Sequence, residues 1–238
     1  MDRTTVILAC SSLKEYVEEA QRKSGTDLPV IYLNRIYHRD PNEMRENIMG
    51  KLSALPEGVD TVLVAMGYCG GSWEGVSAPC RIVLPRVDDC VSLLLQLGDE
   101  PVSDLKSPKH YYVRSMDPSK ESIKAIFEHM AAGQDLDEET IEEYHRHWQD
   151  MYEEIDIMDT AINGARRPEY YSAVRADADW LDARVEYVRA GTYMIEKLIT
   201  GEWDDQFLVV DPGCRVSERD MLIKDRACSF CSRSYLFL

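Results

Sequence analysis

Four- to six-residue apolar runs alternate with stretches whose apolar residues recur three or four apart. Val6–Ala9 is continuously apolar, and Leu13, Tyr16, Val17 and Ala20 then follow at helical spacing until Ser24-Gly25. The run 28–33 precedes Asp40-Pro41, a cap with proline at the first helical position, and Met44, Ile48, Leu52 and Leu55 then share one face. Thr61–Met66 is apolar throughout, as suits a strand covered on both faces, and it gives way to Gly67-Tyr68-Cys69-Gly70-Gly71. A short strand at Ile82–Leu84 leads through Asp88-Asp89 to a helix containing Val91, Leu93, Leu94, Leu95 and Leu97. Strands alternating with helices require crossover connections, which predicts an α/β fold: a doubly wound, mostly parallel sheet with helices on both faces.

Beyond residue 100 the pattern changes. His110–Arg114 reads as a strand, and Asp117-Pro118 opens a helix through Ile123, Ile126, Phe127 and Met130. Glu138–Ala165 reads as one long or broken helix and Ala173–Thr200 as another, with Trp180, Val185, Val188, Tyr193, Ile195 and Leu198 as core positions. Phe207–Val210 is a last strand, followed by Asp211-Pro212-Gly213-Cys214. The expected organisation is a parallel core over 1–134, a mainly helical C-terminal annex over 135–204, and a final strand with an apolar tail over 205–238.

At 238 residues and 45% hydrophobic content the chain can bury a full core without disulfide staples. Its net charge of −16 argues against nucleic acid and against anionic membrane surfaces, both of which reward clustered Lys and Arg. Much of the acid lies between Asp135 and Asp159, a solvated helical face by the simplest account. There is no apolar run long enough for a membrane helix and no signal-peptide pattern after Met1, so the expectation is a cytoplasmic protein with reduced cysteines.

The candidate chemistry lies in those cysteines. Cys10, Cys69 and Cys90 each stand where an apolar run ends, and ligands of parallel sheets collect outside the carboxyl ends of the strands. Thiolates bind zinc and iron–sulfur clusters, and three protein ligands leave a coordination position open for substrate. His38, after the second strand, and Cys214, after the last, are candidates for a fourth ligand. The alternative is that each thiol is a small buried core residue.

Gly70 and Gly71 permit close approach of a ligand or form an ordinary tight turn, and Arg86 is a candidate for a substrate carboxylate or phosphate. Gly-Tyr-Cys-Gly-Gly lacks the spacing of a dinucleotide-binding turn. Cys80 falls at the start of a strand and so at the opposite edge, His145 and His147 point to different helix faces, and Cys228 and Cys231 have no second pair to complete a finger.

Ala9-Cys10, Tyr37-His38 with Pro41, Gly67-Tyr68-Cys69-Gly70, Pro85-Arg86 with Asp89-Cys90, and Gly201 with Trp203-Asp204 together resemble the DUF1638 family over most of residues 5–214. The chain departs from the family pattern at Asp88, where a histidine is common, at Ser11, where a glutamate often stands, and at Leu94-Leu95-Gln96-Leu97-Gly98, which interrupts Leu-Leu-Gly. The resemblance implies an anaerobic setting and a link to corrinoid-dependent methyl transfer, with a corrinoid protein as partner; it does not supply a reaction.

The leading expectation is a metal-dependent enzyme or metallocofactor-handling protein with Cys10, Cys69 and Cys90 as ligands, joined by His38 or Cys214. A [4Fe-4S] cluster is slightly favoured over zinc, with a small molecule or a partner protein as the target. Two alternatives stay open. One is an accessory module that docks a basic partner through its acidic helix; the other is a metal-free enzyme with Cys69 as nucleophile and His38 as base.

Overall fold

The computed structural model describes residues 4–133 and 136–221. Their contacts divide the chain into two compact units, one made of 1–90, 99–104 and the segment from Ile195 onward, the other of 91–98 and 105–194. The tail pair Cys228 and Cys231 and the acidic Asp135 lie outside the described residues.

The first unit is built on a five-stranded sheet of β1 (Thr4–Cys10), β2 (Val30–Leu33), β3 (Val59–Ala65), β4 (Arg81–Pro85) and β8 (Phe207–Val210), in the order β2-β1-β3-β4-β8. The first four are parallel and β8 is antiparallel to β4. Helix α1 (Lys14–Ser24) links β1 to β2, and α2 (Pro41–Ser53) links β2 to β3. The two crossovers travel in opposite directions across β1, so right-handedness puts their helices on opposite faces. Burial agrees with that doubly wound arrangement: Val6 through Cys10 are all buried, whichever face each points to. Reversal of strand order between β1 and β3 creates a crevice at the carboxyl edge.

The helix ends follow local rules. Gly25 takes the left-handed conformation that ends α1, and Asp40 caps α2 by accepting from Asn42 N at 2.8 Å, with Pro41 next in line. Helix α3 (Cys90–Leu95) follows β4, and α7 (Tyr193–Thr200) precedes β8. Lys197 of α7 is buried with its ammonium donating to Asp99, Asp204 and Gln206 at 2.6–2.7 Å, so the cation is fully compensated. Helix α8 (Glu218–Met221) closes the described part.

The second unit departs from the expected helical annex. Its centre is a three-stranded parallel sheet, β5 (His110–Val113), β6 (Glu154–Asp159) and β7 (Arg184–Arg189), in that order. The predicted helix over Glu138–Ala165 is α5 (Glu138–Met151) followed by β6, and the one over Ala173–Thr200 is α6 (Pro168–Leu181), β7 and α7. Ile155, Ile157, Val113, Tyr170, Val174, Ala178 and Leu181 form its core, with Trp148 and Trp180 packed against them. No residue of α5 is buried, as its acidic sequence suggests. Asp177 is buried on α6 and accepts from Ser122 Oγ (2.7 Å) and Ile123 N (3.1 Å), tying down the start of α4 (Ile123–Ala132). Among the described residues no helix is long and apolar enough to cross a membrane.

Candidate metal centre

Cys10 is the last residue of β1 and is fully buried. The β1–β2 register pairs Cys10 with Leu33, which sets the segments after both strands side by side. There Ser11 Oγ accepts from Arg35 N at 3.0 Å, and Asn34 accepts from Ile36 N at 3.0 Å. These bonds fix the start of a 3₁₀ turn, Arg35–Arg39, and Asp40 fixes its end through α2. His38 is held between them with its Nε2 3.1 Å from the Cys10 sulfur.

Cys90 arrives from the other side. The segment after β4 runs against the segment after β3: Tyr68 N donates to Val87 O at 2.9 Å and Cys69 N to Asp88 O at 2.7 Å. Gly67 makes this approach possible, because a Cβ there would lie 2.5–2.7 Å from the backbone of Asp89. Cys90, buried at the first position of α3, is thereby brought to Cys10.

One donor atom from each of Cys10, His38 and Cys90 lies within 4.8 Å of the other two. Both thiols are buried whereas His38 is exposed, so the group has a buried sulfur floor and one solvent-facing side. The Cys10 thiol is pushed up to about 12, first by its hydrogen bond with Cys90, then by burial, while His38 and Ser12 pull it down. Two adjoining buried thiols cannot both ionise without a positive charge to compensate them, and a metal ion supplies that charge. The group is therefore a candidate metal-binding site by donor type, convergence and charge.

The other expected ligands fall elsewhere. Cys69 lies on the adjoining loop and is not part of the convergent group; it adopts a positive φ of 49°, in line with Gly70 (65°) and Gly71 (87°). Gly71 O accepts from Arg45 Nη2 at 2.8 Å, and a Cβ at Gly70 would press Pro41 at 3.3 Å, so both glycines serve a tight turn against α2. Arg86 is engaged with β8, its N and Nε donating to Gln206 O (2.8 Å) and Phe207 O (3.2 Å).

Cys214 is separated from the site by topology. Because β8 is antiparallel to β4, its carboxyl end lies beside the start of β4, where Gly213 N donates to Ala78 O at 2.8 Å. Cys214 is thus at the edge of the sheet where Cys80 also lies, and it is exposed. Ser12 is a neighbour that the strand-end pattern does not single out: its Oγ stands 3.0 Å from the Cys10 sulfur, a consequence of the tight 3₁₀ turn that Cys10 itself caps.

No curated protein and no solved structure matches this chain. A family model does, over residues 32–199, a span that holds His38, Gly67, Cys69 and Cys90. With well over half its length matched, the chain belongs to the family described as protein of unknown function (DUF1638).

Proposed function

We propose that the protein is a metal-dependent enzyme whose working ion is a single zinc held by Cys10, Cys90 and His38. The observation that carries this is the mutual approach of the three donor atoms to within 4.8 Å. Two sulfurs at the usual ~2.3 Å from a tetrahedral zinc stand about 3.8 Å apart, whereas the cysteines of a four-iron cluster each take a different iron and must stand wider. Crowded donors of mixed sulfur and nitrogen therefore favour a mononuclear zinc site over the cluster.

Two thiolates and one imidazole leave the fourth position of zinc to an exchangeable ligand, the arrangement of catalytic rather than structural zinc. Bound there, zinc lowers the pKa of a thiol or water that joins it. The exposed side at His38 is the approach for such a ligand, and the loop of Tyr68, Cys69, Gly70 and Gly71 adjoins the Cys90 segment. Activation of a substrate thiol is also what methyl transfer from a corrinoid requires, which makes that chemistry our reading of the reaction class.

Metal content decides the matter. Protein purified anaerobically should hold one zinc and be colourless, and Cys10→Ser, Cys90→Ser and His38→Ala should each lower its zinc content while Cys69→Ser and Cys214→Ser leave it unchanged. Retention of full metal by the first three variants would sink the proposal, and a brown protein with acid-labile sulfide would replace zinc by a cluster.

A further inference from the structure

The second unit holds a cluster that the cysteine site does not use. In its sheet, His110 on β5 pairs with Glu154 on β6, and Glu154 pairs with Arg184 on β7. Strand alternation puts Asp156 on the same face as Glu154, two residues on. The opposite face carries Tyr111, Val113, Ile155, Ile157, Val185 and Tyr187, all in or against the core. One face of this sheet is therefore apolar and packed, and the other gathers a histidine and two carboxylates where β5 and β6 begin.

These groups are close and largely out of water. His110 Nδ1 lies 2.8 Å from Asp156 Oδ2 and 3.5 Å from Glu154 Oε1, and the side chains of Glu154 and Asp156 retain 12% and 8% of their exposure. The three donor atoms fall within 4.8 Å of one another.

We propose that His110, Glu154 and Asp156 form a second metal site, selective for a first-row divalent cation. Donors about 2.1 Å from an ion lie about 3.0 Å apart at octahedral right angles and about 3.4 Å apart in a tetrahedron; the observed 2.8 and 3.5 Å bracket those values. One imidazole with two carboxylates suits Mn²⁺, Co²⁺ or Zn²⁺, in contrast to the sulfur-rich group of the first unit.

The surroundings support the geometry. Glu154 turns its other oxygen to Arg184 Nη2 at 3.0 Å, which leaves Oε1 aimed at the cluster, and Tyr112 stacks beside His110 at 6.3 Å between ring centroids. Ligating carboxylates are commonly held from behind in this way. A ring nitrogen takes a cation only through its lone pair, so coordination at Nδ1 requires the neutral imidazole to carry its proton on Nε2, where it stays, while Asp156 and Glu154 supply carboxylate oxygens. The ion then clamps β5 to β6 at their amino ends.

Cobalt separates the two sites, because only thiolate ligation gives an intense near-ultraviolet charge-transfer band. Chelator-stripped full-length protein should bind about two Co²⁺ by equilibrium dialysis, with the band saturating at about one. His110→Ala and, as the milder change, Asp156→Asn should each abolish the equivalent that gives no band and leave the band intact. The Cys10→Ser/Cys90→Ser double variant should do the reverse. The proposal is overturned if the wild type binds only the band-giving ion, or if both second-site variants keep the full complement. An ion bound without any band, and lost in His110→Ala, would instead uphold this site and remove the thiolate one.

Discussion

Gly67→Ala is the substitution that most directly couples the fold to the metal centre. A Cβ at this position would stand 2.5 Å from Asp89 Cα, 2.6 Å from its carbonyl carbon and 2.7 Å from its nitrogen, where ordinary contact begins at 3.4 Å. All three obstacles are backbone, so relief requires the Asp88–Cys90 segment to retreat by close to an ångström. That retreat weakens the Tyr68–Val87 and Cys69–Asp88 hydrogen bonds, now 2.9 and 2.7 Å. At about 1 kcal/mol for each of the two bonds, and about 1–3 kcal/mol for overpacking, the expected loss of stability is about 3–5 kcal/mol, read by urea unfolding of metal-free protein. Cys90 moves with the segment, and donor positions tolerate only about 0.2 Å of error. Zinc affinity, measured by competition with a chromophoric chelator, should therefore fall about 10–100-fold, the range seen when a supporting group is lost. A variant within about 0.5 kcal/mol of wild type and with unchanged affinity would refute the claim that Gly67 sets the approach of Cys90.

Other perturbations separate local effects from the site. Gly50 lies inside α2, and a Cβ added there would meet nothing within 4 Å, so Gly50→Ala should stabilise by about 0.5–1 kcal/mol with no change in zinc affinity, measured in the same two assays. Asp177→Ala removes the acceptor of Ser122 Oγ and Ile123 N and should cost about 2–3 kcal/mol in chemical denaturation, without altering zinc content. For the metal-free protein, the Cys10 thiol rises from 9.0 to about 12 on folding. Between those values the unfolded chain has lost a proton that the folded chain keeps, so the contribution of Cys10, fully present below pH 9.0, declines toward about 12. Unfolding curves collected across that interval should show the decline in wild type and a flatter profile in Cys10→Ser; parallel profiles would dissociate the shift from Cys10.

The parallel core was legible because its strands are buried on both faces, and a continuous apolar run of β-branched residues such as Thr61–Ala65 has few other outcomes. The second sheet was not. Glu-Ile-Asp-Ile-Met-Asp and Arg-Val-Glu-Tyr-Val-Arg, the sequences of β6 and β7, alternate polar and apolar residues at period two over their first four positions. Each adjoins a strongly helical segment, α5 before β6 and α6 before β7, and so merges into a longer helix when periodicity is read across the boundary. The alternation was the available signal. It marks one packed and one polar face, and it also brings Glu154 and Asp156 to the same side as His110, a cluster that is invisible while 138–165 is taken for a helix.

The cysteine site shows where strand-end logic stops. A residue's place after a strand specifies an edge of the sheet, and that sufficed to bring Cys10 and Cys90 together and to exclude Cys80. It assumes that every strand runs the same way, and β8 does not, so Cys214 follows a strand and still lies at the far edge. Nor does the edge specify which way a loop turns its side chain. His38 converges because caps at Asn34 and Asp40 bracket a short 3₁₀ turn. Cys69 stays outside the convergent group, in a turn where it and both following glycines adopt positive φ. Which side chains converge at this edge is thus decided by turn conformation, and if the proposed zinc is held by Cys10, Cys90 and His38, Cys69→Ser should leave zinc content unchanged while His38→Ala lowers it, as metal analysis of the two variants would show.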